Sequence, residues 1–502
     1  MATKIFTRTF KTGILSNVII HAGKNGTNME TKGKDTKPNG IGGNGINNNG
    51  IIQGTIWKQL LGFFFPILLE TFFQQLYNTV DAIVVGNLLG KEALAAVGGG
   101  TAFVVSLLIG FFTGLASGAT VVISQYYGAQ DEDQVHKAIH NAFALSLVGG
   151  VLVSVAGYAT AEPLLKAIST PYDIMPLALR YIHIYFAGGL ATVMYNMGAG
   201  IFRAFGDSKR PLYFLIAGCL LNIVLDIVFV GPLHMGVEGA AYATVLSQVL
   251  SLILVIVFLR KRTDCCRLVY KDIRFERQML AKTVYIGLPA GIQAVLYTVS
   301  NLIIQTAING FGTNAAAAWA AYGKLDSLFW MIISAFGIAI TTFVGQNYGA
   351  GQIDRAKKGV RECIAMSLGA TLIIEALYIS FSRYGFMLFA SDADVIDVGI
   401  GILNSIAPFY FTYILIEILS GAIRGTGKAL MPTIFTVFGI CILRVLWIRT
   451  IPPIYGTLNS VMACYPATWI VTSLAFLAYY LFGNVYSQAK ALTISKTDVS
   501  ES

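Results

Sequence analysis

Residues 66–90 read PILLETFFQQLYNTVDAIVVGNLLG. The stretch is long enough to cross a bilayer as a helix, yet it carries Glu70, Gln74, Tyr77, Asn78 and Asp81. Steps of three and four residues set these side chains in one stripe on a helix. A carboxylate at bilayer depth is costly, so the stripe is expected to face a cavity and not lipid. The stretch predicts a membrane-spanning helix that walls a polar cleft.

The rest of the chain agrees. Of 502 residues 55% are hydrophobic and only 12% charged, with a mean hydropathy of +0.66. A soluble chain of this length needs far more charge on its surface. Apolar runs near 58–86, 94–122, 137–160, 174–200, 211–231, 238–260, 281–310, 315–345, 359–381, 398–420, 430–450 and 462–484 predict twelve transmembrane helices. The fold expected is an all-α polytopic membrane protein. Residues 1–55 form a Gly/Asn-rich stretch without periodicity and are expected to be a disordered cytosolic tail, and residues 487–502 a cytosolic C-terminal tail. The six cysteines make no metal-ligand spacing, so they are expected to be buried residues or free thiols.

The net charge of +9 does not argue for nucleic acid, because the basic residues sit in short loops. Arg260, Lys261, Arg262, Arg267, Lys271, Arg274, Arg277 and Lys282 follow the sixth span, and Arg355, Lys357, Lys358 and Arg361 follow the eighth. Arg203, Lys209 and Arg210 follow the fourth, and Arg424 and Lys428 the tenth. All these loops have one parity, which predicts that they and both termini are cytoplasmic.

The chain also repeats itself. Gln125, Tyr127, Gly128 and Ala129 match Gln346, Tyr348, Gly349 and Ala350, and Arg203, Gly206 and Pro211 match Arg424, Gly427 and Pro432, all at an offset of 221 residues. In the first spans Pro66 matches Pro289 and Asn78 matches Asn301. Six spans per copy make the repeat parallel, with two pseudo-symmetric six-helix bundles about an axis normal to the membrane. The expected lobes are 56–260 and 281–486, joined by a basic cytosolic linker at 261–280.

The acids inside spans are Glu70, Asp81, Asp226, Asp326, Glu375 and Glu417. Asn222 and Asp226 are four residues apart and share a helix face. Two buried carboxylates with amide neighbours are suited to hold a proton or a small hard cation such as sodium. Aromatic runs around Tyr195 and Tyr413 suit a cleft for lipophilic cations. Walker, dinucleotide, HExxH and GxSxG patterns are absent, which speaks against an enzyme.

Pro66 to Gly86, with SQYYGAQ, GIFRAFGDSKRP and GAIRGTG, resembles the MATE family of multidrug and toxic compound extrusion transporters, over about residues 55–485. The resemblance is to bacterial DinF- and MepA-like members. It implies two V-shaped lobes in a bacterial inner membrane, multi-pass and monomeric among membrane lipids. It also implies no cofactor, and antiport of small amphipathic, mostly cationic drugs or toxic metabolites against H+ or Na+. On it, Asp81, Asn222 and Asp226 form the ion-coupling site, with Na+ possible there and Thr244 as an adjoining hydroxyl. The cleft is expected to include Glu70, Gln74, Tyr77, Asn78, Tyr195, Asn301, Tyr413 and Glu417. Where another branch of the family uses acids of helices seven and ten, this chain has Tyr297 and Tyr413. The alternative is a flippase or exporter of a lipid-linked saccharide, which would need basic residues in its cavity for phosphates. Arg444 is the main candidate for that role.

Overall fold

The computed structural model describes residues 51–487, so most of the two expected tails lies outside the described residues. The first bundle holds α1 (Ile56–Leu89), α2 (Lys91–Gly98), α3 (Gly100–Gly128), α4 (Glu132–Ala167), α5 (Met175–Ala187), α6 (Gly189–Ala204), α7 (Lys209–Val230) and α8 (Gly236–Arg260). The second holds α9 (Arg277–Asn309), α10 (Thr313–Gly349), α11 (Ile353–Met387), α12 (Ala393–Ile406), α13 (Tyr410–Gly425), α14 (Leu430–Thr436), α15 (Leu443–Tyr455), α16 (Leu458–Met462) and α17 (Cys464–Phe482). Eleven apolar stretches among the described residues are long enough to cross a bilayer, and the bent pair α5–α6 makes a twelfth. The described residues contain no strand. Helices are the form that satisfies every backbone group within one segment in lipid. Large apolar side chains such as Val155, Ile373 and Phe438 point outward, as a lipid-facing surface requires.

Where spans break, the sequence supplies the means. The 52° bend between α5 and α6 falls at Gly188, where any side chain would collide with Val245 of α8. Ser154 Oγ accepts the Leu190 N–H at 3.2 Å beyond the bend. Between α12 and α13 the chain makes a 3-10 turn, Ala407–Phe409, containing Pro408. Glu375 accepts the Phe411 N–H there at 3.1 Å, so this acid serves the break in the helix. Pro66 and Pro289 instead lie within continuous helices. A π-helical stretch, Val437–Ile442, joins α14 to α15.

The two bundles meet on the side of the basic loops, and the sequence repeat builds the contact. Gln125 Nε2, near the end of α3, donates to the Gly425 carbonyl at 2.8 Å. Its repeat partner Gln346 donates to the Ala204 carbonyl at 2.6 Å. Added side chains at Gly128 and Gly349 would strike the Gln346 and Gln125 backbones respectively. The same logic runs along α3 and α9, where Gly114 and Gly118 lie against Gly291 and Gly287. Small residues let helix backbones close in where lipid gives no hydrophobic drive.

Helix α1 belongs to both bundles. Its first turns, with Ile56, Leu60, Phe63 and Phe64, join a core otherwise made by α9–α17, and Phe64 stacks on Phe336 with centroids 4.0 Å apart. Arg355 of α11 grips the start of α1 and the residue before its N-cap, through Gln59 Oε1 and the Gly54 carbonyl, at 2.6 and 2.9 Å. The later turns of α1 pack on α7. Helix α9 mirrors this, with Met279 and Ile286 in a first-bundle core and Ile304 and Ile308 in the second. The linker between bundles lies against α4. His140 Nε2 accepts the Val269 N–H at 2.9 Å and Asn141 Oδ1 accepts the Glu276 N–H at 3.2 Å.

Overpacking the helix seam costs about 1–3 kcal/mol. Gly287→Leu should therefore lower the melting point of the detergent-solubilised protein by several degrees. Gly62→Leu, at an exposed position with nothing within 4 Å, should leave it within experimental scatter. Equal melting points for the two variants would remove the seam from the account.

Candidate functional site

Between the bundles lies a cavity of about 1080 Å³. It runs from a polar floor above the bundle contact to the α2–α3 joint at Val97 and Gly98. The stripe on α1 forms one wall through Gln74, Tyr77, Asn78 and Asp81. Tyr181, Tyr185 and Tyr195 add aromatic faces from the first bundle, and Tyr297, Trp330 and Tyr413 from the second.

Asp81 is 5% exposed and is backed by α7 and α8. Thr244 Oγ1 donates to Asp81 Oδ2 at 3.3 Å. Asn222 and Asp226, both fully buried on α7, lie within side-chain range of Asp81. The i, i+4 spacing puts the amide and the acid on one helix face, and α1–α7 packing brings Asp81 to that face. Tyr77 pairs with Ser247 at 3.3 Å just below. Asp81 Oδ1, both Asp226 oxygens, and Asn222 Oδ1 and Nδ2 are buried and have no hydrogen-bond partner in the protein. Buried polar atoms are seldom left so, because an unmade hydrogen bond costs the desolvation of the group. Facing carboxylates without a cation beside them fit a shared proton or a small oxygen-coordinated cation. This is the strongest ion-site chemistry among the described residues.

Of the residues expected in the cleft, Gln74, Tyr77, Asn78, Tyr195, Tyr413 and Glu417 line the cavity. Glu70 and Asn301 do not. Glu70 accepts from Arg203 Nη1 at 2.9 and 3.1 Å, a pair with side chains only 12% and 17% exposed, so its charge is consumed within the first bundle. Asn301 sits on an exposed face of α9. Glu417 lies over Gly337, whose missing side chain leaves room for its carboxylate.

In the second bundle Tyr297 and Tyr413 meet hydroxyl to hydroxyl at 3.4 Å. Behind them Asp326 accepts from Tyr410 at 2.5 Å, Trp330 at 2.6 Å and Tyr322 at 3.1 Å. It is a satisfied core acid. Arg444, the residue considered for binding phosphates, is enclosed within the second bundle. It is 1% exposed, sits 4.4 Å from the Tyr465 ring and 5.7 Å from the Tyr297 ring, and donates to Thr468 at 3.4 Å. It lies outside the cavity lining. Sequence reasoning passed over Lys324 and Arg424 as cavity residues, although both line it. In the sequence Arg424 reads as loop charge, yet it follows Glu417 by seven residues, a spacing that puts both on one helix face.

All six cysteines are free thiols. His136, His140 and Asp272 cluster on the basic-loop side, but His140 uses one ring nitrogen on Val269 and the other on the His136 carbonyl. That leaves His140 no lone pair for a metal.

The MatE family model matches residues 66–228 and 289–448, one match in each bundle. The chain is similar to the probable multidrug resistance protein YoeA of Bacillus subtilis (strain 168), 29% identical over 85% of this chain and 94% of that one. It is also similar to the probable multidrug resistance protein YpnP of the same organism, 30% identical over 78% of this chain and 87% of that one. A solved structure described as the outward-facing conformation of a multidrug resistance MATE family transporter of the MOP superfamily superposes with a TM-score of 0.80. It is 25% identical and covers 89% of this chain and 99% of that chain.

Removing one member of a buried ion pair strands the other. Glu70→Ala should destabilise the protein by up to about 3 kcal/mol, and Glu70→Gln combined with Arg203→Met should recover much of that loss. Thermal unfolding of the three forms checks this. A double variant no more stable than Glu70→Ala would mean that the ion pair is not what Glu70 contributes.

Proposed function

Because the chain belongs to the MatE family, and is a multi-pass membrane transporter and not an enzyme, we propose that it is an antiporter. In this reading it exports amphipathic organic molecules, cationic drugs among them, in exchange for inward H+ or Na+. The carrying observation is the group of partnerless buried atoms on Asp81, Asn222 and Asp226. Thr244 completes the site through its hydrogen bond to Asp81. Two acids that face each other at this depth need a counter-charge, and a proton or sodium ion supplies it. The relatives named as multidrug resistance proteins support a substrate range of small organic molecules, as do the seven aromatic side chains named on the cavity wall.

The coupling proposed runs through α1. Asp81 is on the turns of α1 that pack in the first bundle, while Phe63 and Phe64 of the same helix are buried in the second. Loading the acids removes their mutual repulsion and draws α1 towards α7. A rigid helix carries that displacement to its other end, where it bears on the second bundle and on the floor of the cavity. Substrate and ion then use the cavity in alternation, which is the logic of exchange between two bundles. The charge of the even-numbered loops supports an orientation with both termini cytoplasmic, in a bacterial cell membrane, and a single chain suffices for the site.

In proteoliposomes, an imposed proton or sodium gradient should drive export of a cationic dye such as ethidium, and the gradient that works identifies the ion. Asp81→Asn and Asp226→Asn should each cut gradient-driven export at least about tenfold, the scale of losing one charge-assisted contact. Thr244→Ala should cut it less. Full gradient dependence in both Asn variants would sink the coupling site, and export indifferent to both gradients would sink antiport.

A further inference from the structure

The repeat gives Arg203 a counterpart in Arg424, at the same offset and near the end of the matching helix. Their surroundings differ. Arg203 is neutralised by Glu70 at 2.9 Å. The position that matches Glu70 in the second bundle is Gln293, which carries no charge and accepts from Thr433 at 3.5 Å. Arg424 consequently has no ion-pair partner among the described residues, and its Nε is buried without an acceptor. Glu417 shares its helix and feels its charge, but no ion pair forms between them.

Arg424 lines the main cavity and also a recess of about 280 Å³ at its floor, which it shares with Arg203, Glu417 and the hydroxyl residues Ser117, Thr120 and Thr341. A guanidinium without an ion-pair partner that lines both cavities is suited to take a carboxylate or phosphate oxygen. The wall as a whole bears this out. Its charged groups are Asp81 and Glu417 against Lys324 and Arg424, which is not the lining of a cavity for cations alone.

We propose that Arg424 is an anion-recognition residue, and that the transported molecules include amphiphiles carrying an anionic group, zwitterions among them. The proposal rests on the export reading above and narrows its substrate class. The asymmetry between bundles gives it a mechanism. The first bundle neutralises its floor arginine with its own acid, while the second leaves the equivalent charge for a ligand.

Rhodamine B and its ethyl ester share one cationic ring system and differ only in a free carboxylate, so binding of both to the purified full-length protein in nanodiscs isolates the anionic group. The wild type should hold the acid about tenfold tighter than the ester, the scale of one hydrogen bond to a charged group. Arg424→Gln should bring that ratio to about one, with ester binding retained. Gln293→Glu should do the same by supplying the missing acid, which guards against a folding defect in the first variant. A wild type that binds neither dye, or binds the ester as well as the acid, overturns the proposal. A ratio that survives both substitutions also overturns it. Repeating the titration with added phosphatidylglycerol separates sources. If the anionic lipid abolishes the preference, the site belongs to a headgroup and the assignment to substrate falls. Export of the ester under a gradient, measured in parallel, reads the antiport proposal independently, since it can fail while the binding ratio stands.

Discussion

Two glutamines reach across the molecule to two carbonyls, and the placement of everything else follows from that exchange. Gln125 and Gln346 are repeat partners, and so are their acceptors, Gly425 and Ala204. Each bond needs the facing backbones almost in contact, which explains the glycines at 128 and 349. With the bundles fastened on the basic-loop side, the space between them has to widen away from it. Along the seam of α3 and α9, glycines at 114, 118, 287 and 291 let the two helix backbones close in on each other.

Symmetry built the frame and its loss built the site. The paired glutamines, the floor arginines and the crossing helices all occur twice. Asp81 occurs once, because the matching residue is Ile304, buried in a hydrophobic core. Glu70 occurs once, because its counterpart is Gln293. The Tyr297–Tyr413 contact stands where acids would make a second ion site. Duplicated helices thus carry different side chains at matching places, an acid at 81 and 70 where the second bundle has Ile304 and Gln293.

Much of this was legible in the sequence. The spans, the repeat, the polar stripe from Gln74 to Asp81 and the Asn222–Asp226 face are local patterns, and local periodicity survives folding in a bilayer because helices are obligatory there. The Thr244 contact with Asp81 was anticipated through resemblance. The pairing of Glu70 with Arg203 was not, because the partners are 133 residues apart and no spacing rule links them. Asp326 takes donors from three other side chains on two helices, which turned an isolated acid into a satisfied one. Arg444 read as a candidate for phosphates, because nothing in the sequence shows that Tyr465 and Tyr297 of other helices enclose it. Asn301 matched Asn78 in sequence, yet it faces outward because a repeat conserves position on the helix better than the direction that neighbours impose.

The sharing of α1 between bundles has a consequence for how such a chain is made. As the first six spans enter a membrane, Phe63 and Phe64 have no partners, since Phe336 and its neighbours are synthesised more than two hundred residues later. The early product is therefore a bundle with one helix half docked, its apolar turns covered only by lipid. Completion waits for α10, and the same event that seats α1 also seals the bundle contact. Biogenesis on this plan is a single late closure and not two independent foldings, and the helix that carries Asp81 is the last part of the first bundle to find its place.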